Sequence, residues 1–247
     1  MAITSIISLV LLGIIVICAW QGFKKGIIMG IIGVLVIILS LYGAQLLSDT
    51  FSYEVIPVMK PFVGGFLDSR VESTTYELFG YEADENGVYD APYSVDDMLE
   101  NQPASRIEVC RWVFHDLGVY EDMAESLAQK TVTYADQNGT TLSNAIMTVT
   151  CQSLSWYGGF LLAFILVFAA LTVIVNIPNL SFRLPYIGIV NDIGGAAIGV
   201  FTGFLFCAII AWVLQFTGLL IPETSLRGTA IASYFLDRNL LAAYITL

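Results

Sequence analysis

The chain has 247 residues, of which 57% are hydrophobic and only 13% charged, with a net charge of −11. Soluble domains carry about 25% charged residues, so this composition excludes an ordinary soluble domain. The acidic balance excludes nucleic-acid binding, which needs a basic face for phosphate. The apolar residues fall in four blocks. Blocks of about 20 apolar residues are long enough to cross a bilayer core. We read an all-α integral membrane protein with four transmembrane helices and a mostly helical extracytoplasmic insertion between the second and third.

Residues 2–20 form the first block. No basic residue precedes it and no small-x-small site follows, so it reads as a retained span rather than a signal peptide. Trp20 sits where an interfacial aromatic belongs. Gln21 to Gly26 is a very short turn carrying Lys24 and Lys25. The second span runs from 26 to about 47, so residues 1–47 form a tight transmembrane hairpin. Gly26, Gly30 and Gly33 place small residues at helical spacing along it.

Residues 48–155 break the pattern. They hold eighteen acidic and five basic side chains, net −13, as expected of an exposed, soluble insertion. Pro57, Pro61, Gly64 and Gly65 punctuate its entry. A short helix is expected over 68–79, and Asn86-Gly87 signals a tight turn. Ser94 reads as an N-cap with acids in the first turn behind it. Helices are expected over 103–117 and 119–133, with Gly118 between them and a turn at Asn138-Gly139. In the first of these, Ile107, Cys110, Phe114 and Leu117 share a face with Arg111 as its polar exception.

Residues 156–221 form the second hairpin. Its spans cover about 156–177 and 193–216. Leu142 onward is uncharged and leads straight into the first of them, and Pro178 stops that helix. The second opens at Asn191-Asp192, which offers a capping side chain to the first turn. Gly195, Gly199, Gly203 and Cys207 then recur every fourth residue. In lipid such a stripe lets another helix backbone come close. The expected contact is with the second span through Gly26, Gly30 and Gly33. The tail, 222–247, is expected to form a helix or two lying against the bundle or the membrane surface.

Both short connectors are basic, through Lys24 and Lys25 in the first and Arg183 in the second. The positive-inside rule then places both in the cytoplasm, and the N-terminus, the insertion and the C-terminus outside.

Chemical motifs are few. The four cysteines include no Cys-x-x-Cys, and His115 is the single histidine, so no zinc site is expected. Glu82, Asp84, Asn86 and Asp90 partly imitate a calcium loop, but Tyr93 stands where the bidentate glutamate belongs, so a surface turn is expected instead. No Gly-x-Ser-x-Gly occurs. Neither catalytic residues nor a cofactor nor a metal is expected, and the chain does not read as an enzyme. Cys18 and Cys207 read as packing residues inside spans. Cys110 and Cys151 admit two readings, a disulfide in an oxidising compartment or two buried thiols. No span carries a charge in its interior, which counts against a stand-alone pump.

The turn Gln21-Gly22-Phe23-Lys24-Lys25-Gly26 is similar to the Arg-Gly-Phe-x-Arg-Gly turn of the colicin V production protein (CvpA-like) family. Leu184-Pro185, Asn191 and the Gly195/Gly199 ladder resemble that family's second hallmark at the start of its last span. The resemblance covers the four spans, about half the chain. The aspartate common early in the family's first span is absent, since that region reads Ile3-Thr4-Ser5-Ile6. The resemblance implies a bacterial cytoplasmic-membrane protein linked to toxin export or envelope homeostasis. On these grounds the expected function is a membrane scaffold or accessory protein. The alternative is a small channel or transporter subunit. The expected partners are the lipid bilayer and other membrane proteins, or a second copy of the chain.

Overall fold

The computed structural model describes residues 2–85, 87–176, 188–216, 223–228 and 230–238. Among them the chain is all-helical apart from one isolated bridge, Ala83 to Tyr89. The helices are α1 (Ala2–Leu78), α2 (Val95–Asn101), α3 (Arg106–Asp116), α4 (Glu121–Asn138), α5 (Leu142–Asn176), α6 (Gly188–Leu214), α7 (Glu223–Arg227) and α8 (Ala230–Arg238). Three of them, α1, α5 and α6, are long and apolar enough to cross a membrane. The protein is a multi-pass, all-helical membrane protein. Arg183, Pro178, Asn86 and the tail from 239 lie outside the described residues.

α1 is not one straight helix. Gly26 has φ 78° and ψ 177°, which divides it into arms of residues 2–25 and 27–78. The second arm does not stop near 47, and Pro57 and Pro61 lie inside it. A proline inside a helix removes one donor and leaves the carbonyl four residues earlier without its partner. Both prolines lie on an exposed side, where a freed carbonyl is not trapped. Beyond them Leu67, Val71 and Thr75 recur every fourth residue and are buried, so packing carries the helix through. The expected short helix over 68–79 is therefore the end of this arm.

The described residues form two compact units. The first takes those within 2–50, 158–215 and 223–238. In its core Phe160 of α5 meets Trp212 of α6 edge-on at 5.2 Å, and Phe168 meets Phe206 at 5.6 Å. The tail supplies two short helices, and α8 lies on α6 through Phe235 against Phe204 at 5.6 Å.

The second unit takes those within 51–157, together with Phe216. Ser94 caps α2 by accepting the Asp97 N–H at 3.2 Å. Gly118, at φ +83°, turns the chain between α3 and α4. Gly139, at φ 58°, ends α4 in the left-handed conformation that glycine favours. The buried face of α3 is Val109, Cys110, Val113 and Phe114, while Ile107 is exposed. Packing against α4 selects this stripe over the one expected, and Arg111 turns aside to pair with Glu121 at 3.5 Å. Arg70 to Asp116 (2.7 Å) and Arg106 to Asp136 (2.8 Å) are further pairs between elements. All are partly exposed, so each contributes less than about 1 kcal/mol. The side chain of Asp84 accepts the Val88 N–H at 2.8 Å, which makes this stretch a turn, and no group of metal ligands occurs among the described residues.

Cys110 and Cys151 are free and buried in the structure. Cys110 lies in the apolar seam of α3, where burial pushes its thiol up from 9.0 to about 12. A raised folded-state pKa means the native state holds its proton while the unfolded chain loses it. The corresponding stability is complete below pH 9 and falls between pH 9 and about 12, by up to about 1.4 kcal/mol per pH unit. Cys110→Ala should remove this slope. Parallel urea titrations of parent and variant from pH 8 to 10.5 should diverge only above pH 9, and matching slopes would contradict the burial.

Candidate functional site: a glycine seam and the cleft beside it

The first unit is organised where the Gly26 turn meets α6. Going up the first arm and down α6, Cys207 lies by Leu11, Gly203 by Ile15, Gly199 by Cys18 and Ala19, and Gly195 by Gly22. The two helices therefore run antiparallel. Past the turn the order inverts, with Ile27 by Gly194 and Gly30 by Ile198. The second arm runs parallel to α6, so the chain reverses at Gly26 without a loop.

The seam is backbone against backbone. A Cβ on Gly203 would lie 2.8 Å from the Cα of Ile15, and one on Gly199 would lie 2.9 Å from the Cα of Ala19. A Cβ on Gly195 would lie 2.8 Å from the Cα of Gly26, and one on Gly22 would lie 2.9 Å from the Cα of Gly199. No rotamer relieves such contacts, because the obstacle is main chain. At its far end the Cys207 thiol donates to the Leu11 carbonyl at 3.6 Å.

Gly26 is constrained twice. Its positive φ is a conformation that side chains avoid. The space a side chain would fill is taken by the carboxamide of Asn191. Gly26 stands at the N-cap of the second arm and has no side chain to cap it. Asn191 supplies the cap from across the interface, its Oδ1 accepting the Ile27 N–H at 3.0 Å. This corrects one expectation, since α6 starts at Gly188 and Asn191 serves another helix. Asn191 is 5% exposed, so the bond is shielded.

The expected partner of the α6 stripe was the second span, but the structure puts the first arm there. Gly195, Gly199 and Gly203 face residues 15–26. Gly26 belongs to this seam. Gly30 instead meets the side chain of Ile198, with a Cβ position 3.0 Å from Cγ2. Gly33 meets nothing within 4 Å. Gly22 is part of the seam, and sequence reasoning missed it because it was read as loop. A glycine four residues before Gly26, continuing its spacing backwards, was the available signal.

Gly30 and Gly33 border a cleft of about 280 Å³. Its wall also includes Gln21 and Lys25 near the turn, and Val36, Ile37, Phe168 and Phe206 further along. The two lysines of the turn differ. Lys24 lies over the Trp20 ring at 5.1 Å, while Lys25 lines the cleft. Compared with family models, curated proteins and solved structures, the chain matches none.

Gly199→Leu should destabilise the bundle by about 3 kcal/mol, at the upper end for overpacking, because main chain cannot yield. Gly33→Leu should cost little. Thermal unfolding in detergent compares them, and equal midpoints would refute the seam. Asn191→Ala removes the cap and should cost about 1–2 kcal/mol. The measurement is again the unfolding midpoint, and an unchanged value would show that the Ile27 amide needs no partner.

Proposed function

We propose that this chain is a four-span scaffold or accessory protein of a bacterial cytoplasmic membrane, of the colicin V production type, serving toxin export or envelope homeostasis. The observation that carries the reading is the seam itself. The two stretches with family-like motifs, Gln21 to Gly26 and Asn191 to Gly199, are far apart in sequence and meet through Gly22, Gly26, Asn191, Gly195 and Gly199. A hairpin clamped in this way makes a stiff platform on which other membrane helices can assemble. The reversal at Gly26 supports counting each arm of α1 as a span.

The alternative, a small channel or transporter subunit, has the cleft in its favour. The cleft's apolar stretch at Val36, Ile37, Phe168 and Phe206 argues against it, because an ion there would lose its hydration without replacement ligands. In the proposed orientation the Lys24/Lys25 turn is cytoplasmic and the acidic insertion, N-terminus and C-terminus are outside.

Single cysteines in a cysteine-free full-length chain test the topology. Val88→Cys should react with an impermeant maleimide on spheroplasts, and Phe23→Cys should react only after lysis. The reverse pattern would overturn the orientation. Crosslinking in native membranes should trap a defined partner or a second copy of the chain. Ion conductance in liposomes holding only this protein would displace the scaffold reading.

A further inference from the structure

We propose that the cleft beside the glycine seam is a binding site for an anionic phospholipid, with one acyl chain along its apolar wall and the headgroup phosphate at Lys25. The proposal rests on the membrane reading above. The cleft is built of one chain's α1, α5 and α6, and its composition changes along its length. The first arm enters it through Gln21 and Lys25 beside the Gly26 turn. Val36 and Ile37 line it some ten residues beyond the turn, about 15 Å away at the helical rise. At that depth the other walls are Phe168 and Phe206, with no charged group.

Two of the polar side chains on the wall, Asn176 and Thr202, are already occupied. The Asn176 amide donates to the Thr172 carbonyl at 2.7 Å, and the Thr202 hydroxyl donates to the Ile198 carbonyl at 2.9 Å. Gln21 and Lys25 have no hydrogen-bond or ion-pair partner among the described residues, and both are exposed. Lys24, one residue earlier, lies over the Trp20 ring and does not line the cleft. The open end thus offers one cation and one amide, and the wall at Val36, Ile37, Phe168 and Phe206 offers apolar surface. That pattern complements a phosphate joined to a hydrocarbon chain. Basic pockets between membrane helices take anionic headgroups in this way.

Gly33 gives the site its width. It lines the cleft, and a Cβ there would meet nothing within 4 Å. A larger residue at 33 would therefore fill the cleft without disturbing the seam.

The test is native mass spectrometry of the full-length protein released from nanodiscs containing equal phosphatidylglycerol and phosphatidylcholine. The parent should retain one phosphatidylglycerol in preference to phosphatidylcholine. Lys25→Gln should lower that retention about fivefold, near the contribution of one cation at a membrane surface. Gly33→Leu should abolish it while leaving the unfolding midpoint unchanged. Lys24→Gln should leave it as in the parent, and glycerol phosphate, a headgroup without a chain, should not displace it. Equal retention of both lipids, retention unaffected by Gly33→Leu, equal loss in the two lysine variants, or displacement by glycerol phosphate would each overturn the proposal. Carbonate extraction of the source membranes separates the two levels of failure. A chain released by carbonate fails the membrane reading and the lipid site together, whereas a chain retained but indifferent to phosphatidylglycerol fails the lipid site alone.

Discussion

The first unit depends on main chain meeting main chain along Gly22, Gly195, Gly199 and Gly203. Water does not drive this contact. Lipid tails are as apolar as leucine, so two helices gain little by hiding leucine from lipid. They gain from dispersion at short range, which falls away within about an ångström of extra separation. Removing four Cβ atoms from the interface lets that range be reached. The same contact fixes register, because a shift of one residue would drive Ile15 or Val200 into the gap. The reversal at Gly26 follows from this fit. The chain turns there because a left-handed glycine is placed where Asn191 can cap the helix that follows.

Burying the cap has a physical logic. A helix N-terminus leaves amides without intrahelical partners, and water satisfies them cheaply only where water is present. Near a membrane the partner has to come from protein. Gly26 must be glycine for its backbone, so it cannot cap its own helix. The requirement passes to α6, where Asn191 meets it at 3.0 Å. One residue's conformational demand thus fixes the identity of another 165 positions away.

Much of this was legible in the sequence. Hydropathy shows the apolar blocks directly, and the fourfold recurrence of Gly195, Gly199, Gly203 and Cys207 shows the seam on α6. The partner of that stripe was not legible, because Gly26, Gly30 and Gly33 recur at helical spacing from the turn into the second arm, whereas the first arm contributes a single glycine, Gly22, to the seam. Local rules also failed at Pro57 and Pro61, where tertiary burial of Leu67 and Val71 outweighs a breaker's preference. They failed again on α3, where Val109 and Val113 join the buried face and Ile107 is exposed. Periodicity reports that a face exists. It does not report which of two adjacent faces the neighbour will choose.

Gly199 and Gly33 show why small residues in membrane helices resist a single interpretation. Both lack a side chain, and both recur with other glycines at helical spacing. At Gly199 the missing Cβ is replaced by another backbone, so the absence creates contact. At Gly33 it is replaced by nothing, so the absence creates space. The two uses complement each other. Drawing the first arm tightly onto α6 fixes where the second arm leaves the turn, and a glycine on that arm then opens a gap instead of closing one. A bilayer does not leave such a gap empty, since hydrocarbon flows into any opening that a chain can enter. A packing seam and an occupied cleft are therefore two outcomes of one residue type, distinguished by what the next helix brings to the position.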